Sequence, residues 1–440
     1  VLVVAAVPKP GEPVPDVAAR SAALLIGTAR QLIGQPGARL WGITAGVRES
    51  TDEAHLAGSA MWGLGRVLAG EQDDLWCGTI DLPGEGLPGA DLAAVLLDVL
   101  RSDVREDVVA IRDGAAFASR LRRAESPATG DPVSCRPDGT YLITGGLGRL
   151  GLEVAAWLAG RGARRLILAG RQGLPPRSAW ADPADPETRR RIDGVRALEA
   201  RGMTVRVIGL DVADAGAAAR ELSPDATGLP PIAGVVHAAG VLEDRLATDV
   251  DEKSLRTVLR PKADGAWVLH RLFPPGSFDF MVLFSSCGQL LGLPGQATYG
   301  AANTFLDALA AHRPDTTSLG LTSWRGYGMA VNEATDRWLR SQGVTDISAA
   351  GAFSAWDRAA RTGTGYVAVL RTVPLTEGQE RGPLLRDLAT GPETDGNRPS
   401  GGSFTGLSRE ELGNRVLRWC APRSPMRCGS PPPPWTSAGP

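Results

Sequence analysis

Apolar residues fall along the chain in short runs of five to eight, separated by stretches with the three-to-four-residue spacing of amphipathic helices. Strands of this kind alternating with helices predict a parallel sheet covered on both faces. In a first block, Val1–Ala6 reads as a buried strand and Asp16–Leu32 as a helix. Strand Arg39–Thr44, helix Glu53–Leu68, strand Leu75–Leu82, helix Leu92–Leu100 and strand Asp107–Ile111 complete it. The polar, proline-bearing stretch Ser126–Asp138 reads as a linker.

The second block repeats the alternation more fully. Strands are expected at Thr140–Thr144, Arg165–Ala169, Thr204–Leu210, Ile232–His237, Phe278–Phe284 and Ser318–Ser323. Helices are expected at Leu150–Leu158, Arg190–Ala200, Ser254–Leu272 and Ala297–Ala311. The pattern predicts an α/β protein with two Rossmann-like, doubly wound parallel-sheet subdomains, alike enough in rhythm to suggest a duplication. The expected division is 1–125 for a structural subdomain, 126–138 for a linker, 139–375 for a cofactor-binding subdomain, and 376–440 for a flexible linker and disordered tail. Within that tail Leu407–Trp419 has a helical period. Cys420–Pro440 has no period of either kind and reads as disordered, with the look of a shifted reading frame.

Composition narrows the function. The chain has 440 residues, 43% hydrophobic and 22% charged, which is ordinary for a soluble globular protein of two or three domains. Only Lys9, Lys253 and Lys262 among the 47 basic residues are lysines, which reads as a coding bias toward arginine. A net charge of -2 gives no electrostatic footprint for nucleic acid. No apolar run reaches the ~18 residues of a membrane helix. The start, Val1–Val4, is too short for a signal peptide and lacks an initiator Met, so a piece of a longer polypeptide is expected. The cysteines form no CxxC pair, so neither zinc nor a disulfide framework is expected, and a reducing, cytoplasmic setting fits.

Candidate chemistry begins at Thr144-Gly145-Gly146-Leu147-Gly148-Arg149-Leu150-Gly151, between a strand and a helix. Without Cβ atoms such a turn brings backbone N–H groups against a pyrophosphate at the positive end of the helix. The next strand ends at Arg171. An acidic residue there would select NAD, whereas an arginine suits the 2′-phosphate of NADP. Asp211 and Val212 close the third strand, where a carboxylate can meet an adenine edge. His237-Ala238-Ala239-Gly240 ends the fourth, its small residues allowing close approach to a ribose. The first block has no glycine turn of this kind.

A reacting group is expected opposite. Tyr299 and Asn303 share one face of a helix at i, i+4 spacing. Ser285-Ser286 lies at a strand end, and Lys262 follows Pro261 beside an apolar face. An amine near a tyrosine favours the phenolate and readies the phenol to donate its proton. Two hydroxyls that bond a carbonyl oxygen beside a hydride donor are the equipment for ketone reduction.

On these residues the second block resembles the short-chain dehydrogenase/reductases, and specifically the ketoreductase domains of modular type I polyketide synthases. The likeness rests on GTYLITGGLGRLG (139–151), VVHAAGVLEDRL (235–246), LRPKADGAWVLH (259–270), FSSCGQLLGLPGQATYGAANTFLDALAAHR (284–313) and LTSWRGYGMA (321–330). It extends over about residues 1–375, the first block resembling that family's cofactor-free structural subdomain. The resemblance implies Tyr299 as proton donor, Ser286 as carbonyl binder, and Lys262 and Asn303 as supports. It also implies NADPH as hydride source, and as partners an acyl carrier protein bearing a phosphopantetheine-tethered β-ketoacyl chain and neighbouring synthase domains. Relatives that give a D-hydroxyl carry Leu-Asp-Asp where this chain has Leu242-Glu243-Asp244. Relatives that give the L-hydroxyl carry a tryptophan where this chain has Leu291. Both point to a B-type, D-hydroxyl product, and Pro294 matches a marker of the subtype accepting an epimerised α-substituent. Two departures, Gln172 for a second arginine and Gly300 for alanine, are expected to bear little on activity. The competing expectations are a redox-silent epimerase or scaffold, and a free-standing small-molecule dehydrogenase.

Overall fold

The computed structural model describes residues 1–85, 89–102, 106–124, 131–183, 185–327, 333–363, 365–375 and 382–388. The readings of 126–130 as linker, of Leu407–Trp419 as helix and of 420–440 as disordered lie outside the described residues.

The apolar runs of the first block form one five-stranded sheet in the spatial order β1 (Leu2–Val4), β2 (Leu40–Ala45), β3 (Trp76–Leu82), β4 (Val108–Arg112), β5 (Ala115–Ala118). The first four strands are parallel. The last returns antiparallel through Asp113 and Gly114, both at positive φ (48° and 74°). Positive φ at both central residues is the geometry that an Asp-Gly hairpin turn favours. The periodicity did not predict β5, although that dipeptide is its signal.

The second block builds a seven-stranded parallel sheet. Its first six strands are β6 (Thr140–Thr144), β7 (Arg165–Gly170), β8 (Thr204–Gly209), β9 (Ile232–His237), β10 (Phe280–Ser286) and β11 (Thr316–Leu321). After β12 (Val344–Thr345) comes the seventh, β13 (Tyr366–Val369); β12 pairs separately with β14 (Arg371–Thr372). The spatial order is β13-β11-β10-β9-β6-β7-β8. The chain winds outward from β6 to β8, then crosses back to lay β9 on the other side of β6. Such a reversal leaves a crevice at the carboxyl ends of the strands, where ligands of open α/β sheets bind.

Two expected helices are broken. Glu53–Leu68 is a 3-10 turn at Glu53–Gly58 followed by the helix Ala60–Glu71. Ser254–Leu272 is interrupted by a π-helical turn at Arg260–Asp264. Pro261 has no N–H to give and its ring crowds the carbonyl of the preceding turn, so the helix widens there, and the Gly265 N–H reaches back to the Arg260 carbonyl. Residues 382–388 were expected in a flexible linker. Instead Leu384 and Leu385 are buried against Leu121, Leu290 and Leu339, and the Leu121 N–H donates to the Leu384 carbonyl at 2.9 Å.

The blocks share a core. Leu25, Leu64 and Leu68 of the first block pack in one apolar cluster with Leu255, Phe305 and Leu309 of the second. Each such fully buried side chain contributes roughly 1.5–3 kcal/mol. The seam is tightest where the helices Ala60–Glu71 and Ala297–His312 cross. A Cβ at Gly63 would stand 2.1 Å from the Gly300 carbonyl oxygen, and one at Gly300 would stand 2.9 Å from that of Gly63. The backbones meet there with nothing between them, one residue past Tyr299.

Candidate active site

β6 ends at Thr144, and the chain turns through the glycines into the helix Arg149–Gly160. Gly145 has φ +67°, and a Cβ on it would lie 2.8 Å from the Ala238 carbonyl oxygen; one on Gly151 would lie 2.4 Å from that of Gly145. The helix is therefore drawn up against the strand end. Its cap is Gly148, which brings no side-chain oxygen to the first N–H groups. Those groups and the helix dipole are left for an anion.

This turn floors a crevice of about 540 Å³ lined by Thr144, Gly145, Leu147 and Gly148. Its walls are Gly170-Arg171-Gln172, Leu210-Asp211-Val212, Ala239-Gly240 and Pro261. That size and the absent Cβ atoms fit a dinucleotide. Of the other residues expected to hold the cofactor, Gly146, Leu150, Gly151, His237 and Ala238 shape the crevice without lining it. Arg191 also lines it and was missed by the sequence reading. It donates to the Gln172 amide oxygen at 3.1 Å, beside the exposed Arg171. Its signal was the arginine run at the start of the helix Pro186–Ala200. The Asp211 carboxylate is already engaged, accepting from the Ala213 N–H at 3.1 Å and from Arg260 Nε at 3.0 Å.

From the crevice wall inward a largely buried hydrogen-bond chain ties both switch-point strands to the π-helical turn. His237 Nε2 lies 3.0 Å from the Lys262 carbonyl, which can only accept, so the proton sits on Nε2. His237 Nδ1 then accepts from the Thr144 hydroxyl at 2.8 Å, and Thr144 Oγ1 in turn accepts the Ala239 N–H at 3.3 Å. Burial, helped by the charge of Lys262, holds the imidazole pKa down to about 3, so the ring stays neutral.

The Lys262 side chain continues past Gly240 into the interior and is 3% exposed. Its ammonium donates to the Phe284 carbonyl at 2.8 Å and lies 5.2 Å from the centroid of the Tyr299 ring. Burial lowers its pKa to about 8, with the Asp307 carboxylate pulling the other way. Burial raises the Tyr299 phenol to about 12. The phenol thus stays protonated with a cation over its ring, a poised proton donor. Ser286, two residues beyond Phe284, accepts the Gly288 N–H at 3.1 Å. The neighbouring Ser285 turns inward, toward the Asn303 carbonyl at 3.4 Å. Asn303 donates to the Tyr299 backbone carbonyl at 2.8 Å, and its Oδ1 is buried without a donor.

A second wall carries the residues read as stereochemical. Asp244 accepts from Gln296 Nε2 at 3.2 Å, and burial raises its carboxyl pKa. Glu243 is turned away, bonded to the Ser254 hydroxyl and paired with Arg245. Leu242 is half-buried and Pro294 exposed. Leu291 packs into the cluster of Leu290, Leu384 and Leu385. Among the described residues no cluster of His, Cys, Asp or Glu could hold a metal, and no helix is long and apolar enough to cross a membrane.

Comparison with known proteins gives a consistent picture. Residues 139–326 match the family described as the KR domain. The chain is 46% identical over 376 residues to the 5-methyl-1-naphthoate synthase of Streptomyces sahachiroi, covering 83% of this chain and 21% of that protein. It spans about a fifth of the length of the curated relatives it matches. Among solved structures it is similar to PlmKR1, the ketoreductase from the first module of phoslactomycin biosynthesis in Streptomyces sp. HK803. That match has TM-score 0.69 and 34% identity, covering 80% of this chain and 79% of that one. It is also similar to a structure described as A-type ketoreductases from a modular polyketide synthase, with TM-score 0.71 and 31% identity over 84% and 77% of the two chains.

Proposed function

The chain belongs to the ketoreductase domain family of modular polyketide synthases, and from that premise we propose that it reduces the β-keto group of a tethered polyketide intermediate to a β-hydroxyl, with NADPH. The single observation that carries this reading is the buried Lys262 ammonium, set between the carboxyl end of β10 and the face of the Tyr299 ring.

Bound NADPH would supply the hydride. The N–H groups at the head of the helix Arg149–Gly160 would hold its pyrophosphate, and Arg171 with Arg191 would meet its 2′-phosphate. Ser286 and Tyr299 donate to the ketone oxygen, and Tyr299 yields its proton as negative charge develops there. Lys262 stabilises the resulting phenolate, and Asn303 holds the first turn of the tyrosine helix. The proposed substrate carrier is the phosphopantetheine arm of an acyl carrier protein among neighbouring synthase domains, in the cytoplasm. Residues 139–375 are proposed as the catalytic unit and 1–125 as its structural partner.

The proposed product is D-configured (B-type), on the strength of Leu242-Glu243-Asp244 and of Leu291 in place of tryptophan. Pro294 is proposed to mark tolerance of an α-substituent. The matched 5-methyl-1-naphthoate synthase is named for an aromatic acid, so an unbranched β-ketoacyl thioester is the first substrate to try. Loss of nicotinamide absorbance with that thioester, and a single alcohol enantiomer by chiral chromatography, are the expected results. Folded protein that leaves NADPH unoxidised would end the reading. Deuterium washout from an α-methyl thioester without net reduction would replace it with epimerisation.

A further inference from the structure

The wall that carries Asp244 and the segment that opens the tyrosine helix come from distant parts of the sequence, and neither is a regular helix or strand. Asp251 caps the helix that follows the first wall at Ser254, but residues 241–246 lie in an irregular stretch between β9 and a 3-10 turn at Ala247–Asp249. The other segment, 292–296, links a one-turn helix to Ala297. Backbone and side chain both join the segments directly: an isolated parallel bridge pairs Arg245 with Gln296, through the Arg245 N–H to the Gly295 carbonyl at 2.7 Å, and Gln296 Nε2 donates to Asp244.

A further tie comes from outside both. Glu71 is the last residue of the helix Ala60–Glu71 in the first block. One of its carboxylate oxygens accepts the Gly295 N–H and the other accepts the Ala247 N–H, each at 2.7 Å. A carboxylate held by two backbone N–H donors from two segments is a rigid clip, since each bond is charge-assisted and both are set by one planar group. The helix that carries it is fixed in turn by the backbone crossing at Gly63 and Gly300.

We propose that Glu71 is a positioning residue that sets the facial selectivity of ketone reduction, by fixing the Leu242–Asp244 wall relative to Tyr299. This rests on the reductase reading above. The clip touches neither cofactor crevice nor reacting atoms. Its loss lets the two walls part, so that a ketone can present either face to the same hydride donor while cofactor affinity is kept.

The test compares the full chain with Glu71→Gln, which keeps the shape but replaces one accepting oxygen with an NH2 that faces a backbone N–H. The probe is a 3-oxohexanoyl N-acetylcysteamine thioester with NADPH. The readouts are the enantiomer ratio of the alcohol, kcat and KM for the thioester, and the NADPH Kd by fluorescence. Expected for Glu71→Gln is a drop of about tenfold in enantiomer ratio with raised thioester KM and an unchanged NADPH Kd. An unchanged ratio, with only a lowered Tm, would make Glu71 a plain interdomain tie and overturn the proposal. If Glu71→Gln does not fold, Glu71→Asp decides on the same readout, because its shorter arm keeps the charge but cannot reach both amides. No alcohol from the unaltered chain would instead remove the reductase reading itself, a different result from an unaltered ratio.

Discussion

The two sheets start from one rhythm of strand and helix and differ most at the carboxyl ends of their strands. After β6 the chain passes through glycines into a helix whose first N–H groups no side chain caps. After β1 it passes through Pro8, Pro10, Pro13 and Pro15. Prolines have no N–H to offer, and the N–H of Ala6 is already bonded to the Ser21 hydroxyl at 2.9 Å. Strand order separates them too, since the first sheet runs β1 to β5 in sequence without the reversal that opens a crevice between β6 and β9. Its own strand ends are filled: Thr44 donates to Asp81 at 2.6 Å and accepts from Trp62 Nε1 at 3.0 Å, while Arg112 pairs with the same Asp81. Similar alternation therefore yields an open crevice in one case and a filled brace in the other. Turn chemistry and strand order decide which.

The sharpest way to break this division is through the reacting groups. Tyr299→Phe should lower kcat about 10²–10⁴-fold, the usual worth of general acid catalysis, with NADPH binding retained by fluorescence titration. In the first sheet, Asp81→Asn should lower Tm by disturbing a buried pair yet leave kcat of the folded protein unchanged. Equal losses of kcat in the two variants would mean that the first sheet takes part in the chemistry.

Next in size is the seam. Gly63→Ala places a Cβ 2.1 Å from the Gly300 carbonyl oxygen, and Gly300→Ala places one 2.9 Å from that of Gly63. Neither contact can be relieved by a side-chain rotation, because both partners are backbone. Overpacking of this kind destabilises by roughly 1–3 kcal/mol, readable as a lower urea midpoint. Gly300, whose presence in place of alanine was expected to bear little on activity, sits in this crossing one residue past Tyr299, so its packing bears on stability. Wild-type stability in either variant would show that the seam is looser than the crossing implies.

What the sequence disclosed follows the same line. The glycine turn was legible because close approach and positive φ leave few residue choices, and those choices sit next to one another. Lys262 could be singled out because it follows a proline in an otherwise apolar helix, but the π-helical turn that aims its carbonyl at His237 has no spacing of its own. Edge strands β5 and β13 are short and half-buried, so they show little alternation. Arg191 showed only as part of an arginine run, and Glu71 not at all, for another reason. Gln172, which marks Arg191, and Ala247 and Gly295, which mark Glu71, lie 19 to 224 residues away, and a charged residue on a helix looks the same whether it faces solvent or a neighbouring loop.

A smaller effect separates the sheets by pH. Lys262 is held at about 8 and Tyr299 at about 12, so between pH 7 and 10 the amine titrates and the phenol does not. In the proposed reduction the charged amine stabilises the forming phenolate. The rate should therefore be level below pH 8 and fall by at most about tenfold per pH unit above it. Lys262→Met should be slower and should lack that inflection, and an inflection that survives the substitution would belong to another group.

The smallest expected effect distinguishes the two sheets by stability. His237 has its folded pKa lowered to about 3 from 6.5 because the ring is buried with both nitrogens committed. A group depressed in the folded state contributes stability that is whole above its unfolded pKa and is lost as pH falls toward the folded one. Below about pH 6.5 the unfolded chain takes up a proton that the folded chain refuses, so stability drops with a limiting slope of roughly 1.4 kcal/mol per pH unit. Between pH 6 and 5 that is about 1 kcal/mol, enough to see by urea titration. His237→Gln cannot take up that proton, so its stability should fall less steeply over the same interval even if it is lower throughout. Hydrogen exchange should place the acid-induced loss at β6 and β9, where Thr144 and His237 are bonded to each other, before it reaches β2 and β3. Simultaneous loss in both sheets would mean that the shared core, rather than the buried imidazole, sets the acid limit.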